Sequence, residues 1–178
     1  MLLFSSVFII IFSFLLKNIK LEDNLENNKH NNNNITYKID EKNGMGKEYD
    51  KDGKLIFEGQ YMRGQRNGIG KEYNSEGKLI FEGKYKNGKR KGKGMEYDNN
   101  GKIIFKGEYL NDEKNGIGKE YNNEGKIIFD GEYLNGKKNG KGVEYNSNGR
   151  LIFRGTYLNG ERKERFKIDD LWNKRYFK

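Results

Sequence analysis

Residues 81–94 read FEGKYKNGKRKGKG, and residues 129–142 read FDGEYLNGKKNGKG, which is the same pattern 48 positions later. Phe105 stands midway between Phe81 and Phe129, so the period is 24 residues. A fixed period of this length indicates a solenoid or array, in which neighbouring units bury each other's apolar surface. All 24 glycines fall on five columns with this period, which begin at Gly44, Gly46, Gly53, Gly59 and Gly64. Within the array one place lacks its glycine, and Asp112 fills it.

Each unit of the repeat predicts a β-hairpin, as the copy that begins at Gly68 illustrates. A first strand at Gly70–Tyr73 leads into the turn Asn74-Ser75-Glu76-Gly77, whose glycine suits the left-handed position of a type I turn with a bulge. A second strand at Lys78–Tyr85 alternates apolar and charged residues, and Asn87-Gly88 opens the next turn. A helix is disfavoured, because each glycine in its interior would cost about 1 kcal/mol relative to alanine.

Stacking of these hairpins predicts an all-β fold, namely an elongated antiparallel sheet of stacked β-hairpin repeats. Two strands per repeat advance the sheet by roughly 10 Å, because neighbouring strands lie about 4.8 Å apart. We expect one face of this sheet to be lined with aromatic side chains and the other face to be charged.

One phenylalanine and two tyrosines per repeat predict a continuous aromatic face. This face is either the core of a thin, curved sheet or a groove that binds a partner peptide or a second copy of the chain. A single-layer sheet cannot bury both faces, and exposed apolar patches beyond a few hundred Å² usually mark binding sites. The candidate aromatic binding face comprises Tyr49, Phe57, Tyr61, Tyr73, Phe81, Tyr85, Tyr97, Phe105, Tyr109, Tyr121, Phe129, Tyr133, Tyr145, Phe153 and Tyr157.

The quoted stretches at 81–94 and 129–142 resemble the membrane occupation and recognition nexus (MORN) repeat, and the likeness extends over residues 35–163. Phenylalanine stands where the family often has tyrosine, tyrosine stands where it often has tryptophan, and the unit is slightly longer than usual, so the chain resembles the variant form of the repeat. The resemblance implies stacked hairpins without catalytic residues. It also implies roles in protein interaction, in scaffolding and in contact with membrane lipids.

Composition limits the other classes of protein. Hydrophobic residues make up only 33% of the 178-residue chain and charged residues 34%, which suits a repeat array better than a globule with a single core. The abundance of aromatic residues argues against disorder. The absence of cysteine excludes disulfides and thiolate metal sites. The net charge of +9 is typical of proteins that bind an acidic partner, but a well-mixed, solvated surface explains it equally.

The first 20 residues form a hydrophobic segment. Residues 2–16 carry no charge, and Lys17 and Lys20 follow them. The run has the length of a signal-peptide core, but no cleavage motif follows, so a cleaved signal peptide and an uncleaved membrane anchor are both open. A buried element of the main domain is a third reading. The segment predicts an N-terminal hydrophobic helix and a chain that is membrane-associated, or secretory if the segment is cleaved.

Two further segments flank the array. Residues 21–34 are rich in asparagine and predict a flexible linker, in which the lone His30 has no catalytic or metal-binding surroundings. Asn34 begins a glycosylation sequon that matters only if this segment enters the secretory lumen. After the array at 35–163, which has a leading half repeat, residues 164–178 depart from the pattern and predict a short C-terminal helix that caps the sheet edge.

The sequence predicts no catalytic residue, no cofactor and no metal site. There is no cysteine nucleophile and no histidine in the array. Glutamates recur on one column from Glu48 to Glu144, but carboxylates spaced one repeat apart on an open surface are better explained as a salt-bridged ladder than as an acid–base pair. Gly44-x-Gly46 and its copies lack the GK[ST] ending and the helix of a phosphate loop, so turn geometry explains them better.

Basic residues cluster in two of the turns and are the candidate contacts to anionic lipid or to an acidic partner. They are Lys89, Arg90, Lys91, Lys93, Lys137, Lys138 and Lys141. Each basic residue close to an anionic membrane contributes about 1 kcal/mol, although ordinary loop charge explains the same residues. Nucleic acid is disfavoured, because acidic columns interleave with the basic ones.

These observations predict a non-catalytic repeat scaffold that mediates protein–protein interaction at a membrane. The alternative is a peripheral module that binds anionic phospholipid through the basic turns. The identity of the protein partner stays open, and self-association of the chain is a further option.

Overall fold

The computed structural model describes residues 36–40 and 44–166, and the predicted all-β antiparallel architecture is confirmed there. Twelve strands form one sheet in which each strand pairs with its neighbours in the sequence. The strands are β1 Thr36–Asp40, β2 Met45–Tyr49, β3 Leu55–Met62, β4 Gln65–Tyr73, β5 Leu79–Lys86, β6 Lys89–Tyr97, β7 Ile103–Leu110, β8 Glu113–Tyr121, β9 Ile127–Leu134, β10 Lys137–Tyr145, β11 Leu151–Leu158 and β12 Glu161–Arg165.

Two-residue turns join the strands at one end of the hairpins, so these turns form a row along one side of the sheet. In the β5–β6 hairpin, Lys86 pairs with Lys89, and Asn87 and Gly88 both have positive φ, at 51° and 82°. Such values belong to the type I′ turn, whose twist matches that of antiparallel strands. The Gly88 amide also donates to the Arg66 carbonyl of the preceding tip at 3.0 Å. This row is therefore built of tips that bind one another.

Longer turns join the strands at the opposite end, between one hairpin and the next. Asn74 accepts hydrogen bonds through Oδ1 from the amides of Glu76 and Lys78, and its carbonyl accepts from the Gly77 amide. Gly77 lies at φ 76°, which confirms the predicted left-handed glycine. The same side-chain bonds recur at Asp50, Asp98, Asn122 and Asn146. Short polar side chains of this kind stabilise turns by binding their own backbone.

The prediction of one aromatic face is wrong, because the two tyrosine columns lie on opposite faces of the sheet. Glu72 pairs with Phe81, and the register shifts by one residue before Tyr73 pairs with Leu79. Glu72 therefore shares a face with Phe81, and Tyr73, the next residue along the strand, lies on the other face. There its hydroxyl donates to Glu58 at 2.6 Å. The tyrosines of this second column are Tyr49, Tyr73, Tyr97, Tyr121 and Tyr145.

The core of the protein is a single file of rings on one side of the sheet, which we call the core face. It consists of the five phenylalanines from Phe57 to Phe153 and the five tyrosines from Tyr61 to Tyr157, and all ten are buried. Each ring contacts the next edge-to-face, with centroids 5.1–5.8 Å apart. Edge-to-face pairs of this geometry add about 0.5–1.5 kcal/mol each beyond burial.

Pairs of glycines, which have no side chain, leave room for each phenylalanine ring to pack directly on the backbone. Gly83 of β5 faces Gly94 of β6, and the ring of Phe81 lies against both. A Cβ added at Gly94 would stand 2.5 Å from Cζ of Phe81, and one at Gly83 would stand 2.7 Å from the Gly94 Cα. These two glycine columns, unlike the turn glycines, are required by packing.

Both terminal helices expected from the sequence lie largely outside the described residues and stay predictions. At the C-terminal side, β12 runs through Arg165, so Glu164 and Arg165 belong to the sheet and not to a helix. The described part of the chain contains no helix long and apolar enough to cross a membrane.

Candidate functional site

A row of ion pairs covers the aromatic core. The hydroxyl of Tyr85 donates to Glu72, and the guanidinium of Arg90 binds both oxygens of the same carboxylate. This arrangement recurs in every repeat, with tyrosine–glutamate distances of 2.5–2.9 Å and a basic residue on each glutamate. The predicted salt-bridged ladder on the Glu48 column is thus present, and its basic partners are Arg66, Arg90, Lys114, Lys138 and Arg162.

The same basic side chains lie over the phenylalanine rings. The charged ends of Arg90 and Lys138 stand 4.1 Å from the ring centroids of Phe81 and Phe129. A cation over an aromatic face contributes about 0.5–2 kcal/mol, more when it is desolvated. Arg90 and Lys138, which we expected among the free anion contacts, are therefore engaged on the core face, and the aromatic row there is no open groove.

Burial and the carboxylates hold these tyrosines neutral. Desolvation, together with the hydrogen bond and the charge of Glu72, raises the pKa of Tyr85 far above its ordinary value. Burial alone would raise the pKa of Glu72, but the hydrogen bonds from Arg90 and Tyr85 outweigh it and lower that pKa. The neutral Tyr85 hydroxyl therefore donates to an ionised Glu72, and this hydrogen bond stabilises the fold.

The opposite side of the sheet, which carries Ile69, Ile117 and the Tyr73 column, leaves aliphatic side chains in solvent. We call it the open face. Ile117 is 54% exposed, in contrast to the buried phenylalanines. Exposed aliphatic residues near the two-residue turns on this face are Met62, Ile69, Leu110, Ile117, Leu134 and Leu158. The Met62 column is aliphatic in four of the five hairpins and the Ile69 column in two, and Lys86 and Lys93 interrupt both columns in the β5–β6 hairpin. No described residue covers these aliphatic side chains.

Half-buried polar groups occupy the middle of the open face. The Tyr73 hydroxyl and the Lys47 ammonium, the latter at 3.4 Å, both contact Glu58. Burial and this carboxylate raise the pKa of Tyr73 to about 12. Lys119 and Asp130 form a similar pair at 2.5 Å three repeats later. These groups have partners within the sheet, whereas Lys106, which occupies the same column as Glu58 and Asp130, is exposed.

A bulge beside each two-residue turn exposes a backbone amide, and a side chain of the preceding strand binds it. Gln60 accepts from the Ile69 amide at 2.7 Å, and Glu132 accepts from the Lys141 amide at 3.1 Å. Glu108 occupies the same place in another repeat. In the β5–β6 hairpin this place is taken by Lys84, whose ammonium has no acceptor atom.

The basic residues predicted as anion contacts divide between the two faces. Arg90 and Lys138 are on the core face, as described above. Lys89, Lys91, Lys93, Lys137 and Lys141 are exposed, and Lys141 gives its amide to Glu132. Among the described residues, the ammonium groups of Lys89, Lys91 and Lys93 make no ion pair. Their part in binding stays a prediction.

Sequence reasoning missed Lys84 and Lys86, which lie on β5 opposite these lysines and are also exposed. Comparison of the columns would have found them, since other repeats carry Gln60 and Glu108 or Met62 and Leu110 at these two positions. Within residues 36–40 and 44–166, no group of acidic or histidine side chains is placed to hold a metal ion.

Comparisons with known proteins identify the repeat. A family model described as the MORN repeat matches residues 81–103, 105–126 and 129–149, and one described as the MORN repeat variant matches 42–62 and 66–87. No curated protein matches the chain.

Two solved structures show weak similarity. One is a mutant of S. aureus TarM in complex with Fondaparinux, α-GlcNAc-glycerol and UDP, at 13% identity and a TM-score of 0.34 over 86% of this chain and 24% of that one. The other is a GtfA/B complex bound to UDP and GlcNAc, at 11% identity and a TM-score of 0.27 over 62% and 22%. The chain spans about a quarter of the length of these proteins, and likeness at this level transfers nothing from them.

Proposed function

The chain belongs to the MORN repeat family, and from this premise we propose that it is a non-catalytic scaffold whose open face binds a protein partner. The observation that carries the proposal is the contrast between the faces. On the core face every phenylalanine is buried beneath a cation, whereas the open face presents exposed aliphatic side chains that no described residue covers. Apolar patches rimmed by polar residues are typical of protein-interaction surfaces.

The proposal places this scaffold at a membrane through residues 1–20. The support is the uncharged run at 2–16, which contrasts with the hydrophilic remainder of the chain. Deleting residues 1–20 is expected to move the protein from the membrane fraction to the soluble fraction. An unchanged distribution after the deletion would remove the membrane from the proposal and leave the scaffold.

Site-specific photo-crosslinking in cells tests the scaffold. A photoreactive amino acid is placed at Ile69 or Ile117 on the open face and, as matched controls, at the exposed turn residues Lys51 and Asn99 at the opposite end of the hairpins. We expect the same partner band from both open-face positions and none from the turn positions. Crosslinks from the turns alone, or none from Ile69 and Ile117, would reject the open face as the docking surface.

A second candidate function is binding of anionic phospholipid, favoured by the exposed ammonium groups of Lys89, Lys91 and Lys93. Flotation with vesicles that contain phosphatidylserine tests it. The variant should replace these lysines and leave Arg90 in place, because loss of Arg90 would remove a partner of Glu72 and so lower the stability of the sheet. Vesicle binding that resists both the substitutions and high salt would reject this function.

A further inference from the structure

The β5–β6 hairpin differs from its neighbours in charge. On the open face beside its two-residue turn it carries five exposed lysines, and these are Lys84, Lys86, Lys89, Lys91 and Lys93. The preceding hairpin has Gln60, Met62, Gln65, Asn67 and Ile69 at the same five positions, and the following one has Glu108, Leu110, Glu113, Asn115 and Ile117. Only this hairpin of the five is basic at all five positions, since β9–β10 has two basic residues there beside Glu132 and β11–β12 has two beside Glu161.

The backbone amide at the bulge of this hairpin also lacks the side-chain acceptor that other hairpins provide. Elsewhere the side chain at the Lys84 position accepts a hydrogen bond from the bulge amide, as Gln60 does from Ile69. The lysine ammonium cannot accept a hydrogen bond, so the Lys93 amide finds no side-chain acceptor at this position. Lys84 instead lies along the bulge, with Cδ 3.4 Å from where a Cβ on Gly92 would stand. An acceptor supplied by a ligand would restore what the other repeats provide internally.

A shallow depression adjoins the lysines on the side of the preceding hairpin. It has a volume of about 370 Å³, and its lining includes Lys84, Lys86, Lys91, Gln60, Asn67 and Ile69. Three ammonium groups, two side-chain amides and an exposed aliphatic side chain therefore meet there, and no carboxylate lines it. The lining combines donors for an anion with one apolar contact.

We propose that this lysine hairpin binds an acidic, extended peptide segment of a protein partner, with carboxylates on the lysines and an apolar side chain on Ile69 and Met62. The proposal rests on the scaffold function and names the class of partner for the open face. Charge complementarity is what selects such a segment. Exposed ion pairs are weak singly, so several must act together to give measurable affinity.

A planar membrane fits this patch less well than a narrow chain does. The next hairpin presents Glu108, Asp112 and Glu113, and Asp112 Oδ1 accepts from the Arg90 amide at 2.8 Å, which holds one of these carboxylates beside the lysines. A membrane that lay across the sheet would meet these acidic groups together with the basic ones, and like charges repel. A single extended segment that lies along β5 and the depression beside it stays away from Glu108 and Glu113.

Fluorescence anisotropy of a labelled polyglutamate peptide, titrated with the full chain in low salt, tests the proposal. The test variant carries Lys84→Ser, Lys86→Ser and Lys91→Ser. The matched control carries Lys51→Ser, Lys106→Ser and Lys137→Ser, which removes the same charge from exposed positions elsewhere. Circular dichroism establishes that both variants keep their β structure. We expect the test variant to bind about tenfold more weakly than the control, since three exposed pairs are lost.

Three outcomes would overturn the proposal. They are absence of binding by the unmodified chain, equal weakening in both variants, and binding of phosphatidylserine vesicles or inorganic phosphate, but not of the peptide, that depends on Lys84, Lys86 and Lys91. The result is separable from that of the crosslinking experiment. Absence of peptide binding by the unmodified chain, with intact crosslinks at Ile117, rejects the lysine site alone, and peptide binding without any open-face crosslink rejects the scaffold alone.

Discussion

The two faces of this sheet are built from the same strands but have different physical roles. On the core face, rings, carboxylates and cations satisfy one another, so little is left to bind anything else. On the open face, aliphatic and lysine side chains point to solvent and have few partners among the described residues. The comparison teaches that a single-layer sheet buries its apolar side chains on one face only. The residues of the other face can then differ from repeat to repeat.

The largest expected difference between the faces is the cost of truncating an apolar side chain. Phe105 is 1% exposed in the middle of the array, so Phe105→Ala should lower the free energy of unfolding by about 3–5 kcal/mol. Ile117→Ala, on the open face, should cost within about 0.5 kcal/mol. Urea denaturation of both variants measures this, and similar losses would mean that the open face is also a core.

A smaller effect is expected from adding a methyl group to one of the glycines on which the phenylalanine rings pack. A Cβ at Gly118 would stand 2.5 Å from Cζ of Phe105, so Gly118→Ala should destabilise the protein by about 1–3 kcal/mol through overpacking. In a Phe105→Leu background the same change should cost clearly less, because the ring that it strikes is gone. Additive losses in the double variant would show that the glycine is required for some other reason.

Two adjacent lysines give the next comparison. Lys138 binds Glu120 at 2.9 Å and lies over Phe129, whereas Lys137 is exposed. Lys138→Ser should cost about 1–2 kcal/mol, because it removes the cation and leaves Glu120 with one partner fewer. Lys137→Ser should change stability by no more than about 0.5 kcal/mol. Equal effects in thermal or urea unfolding would contradict the assignment of Lys138 to the core face.

The smallest predicted effect concerns alkaline pH. Burial and Glu96 raise the pKa of Tyr109 well above the ordinary 10.0, so the unfolded chain loses this proton first. The stabilisation is complete below pH 10 and declines as the pH rises further, by up to about 1.4 kcal/mol per pH unit for each such tyrosine. Tyr109→Phe should make the decline of the unfolding free energy above pH 10 shallower by that amount. An unchanged slope would place Tyr109 in solvent.

Much of the fold could be predicted from the sequence because local rules determine it. The 24-residue period, the positive-φ glycine at Gly77 and the Asn87-Gly88 turn are each set by a few neighbouring residues. The tyrosine columns could not be assigned to faces in the same way. Their side depends on the one-residue register shift between Glu72 and Tyr73, which arises between strands.

The candidate site was predictable only in part, for a related reason. The run Lys89-Arg90-Lys91 is uniformly basic when read along the sequence, yet alternate residues of a strand point to opposite faces. Arg90 therefore reaches Glu72 and the ring of Phe81, while its neighbours stay in solvent. Comparing columns between repeats separates the two sets, because a basic residue recurs in the Arg90 column, whereas among the five full hairpins lysine occurs in the Lys84 and Lys86 columns only here.

Cysteine labelling tests the central claim, a closed core face opposite an open one, most directly. The chain has no cysteine of its own, so Tyr109→Cys and Leu110→Cys each introduce one thiol at adjacent positions on β7. Tyr109 is 4% exposed and Leu110 is 40% exposed. In folded protein we predict that a maleimide labels Leu110→Cys at the rate of a free thiol and labels Tyr109→Cys only after urea is added. Rapid labelling of both thiols in the native state would contradict the account, because the aromatic row would then be an open groove.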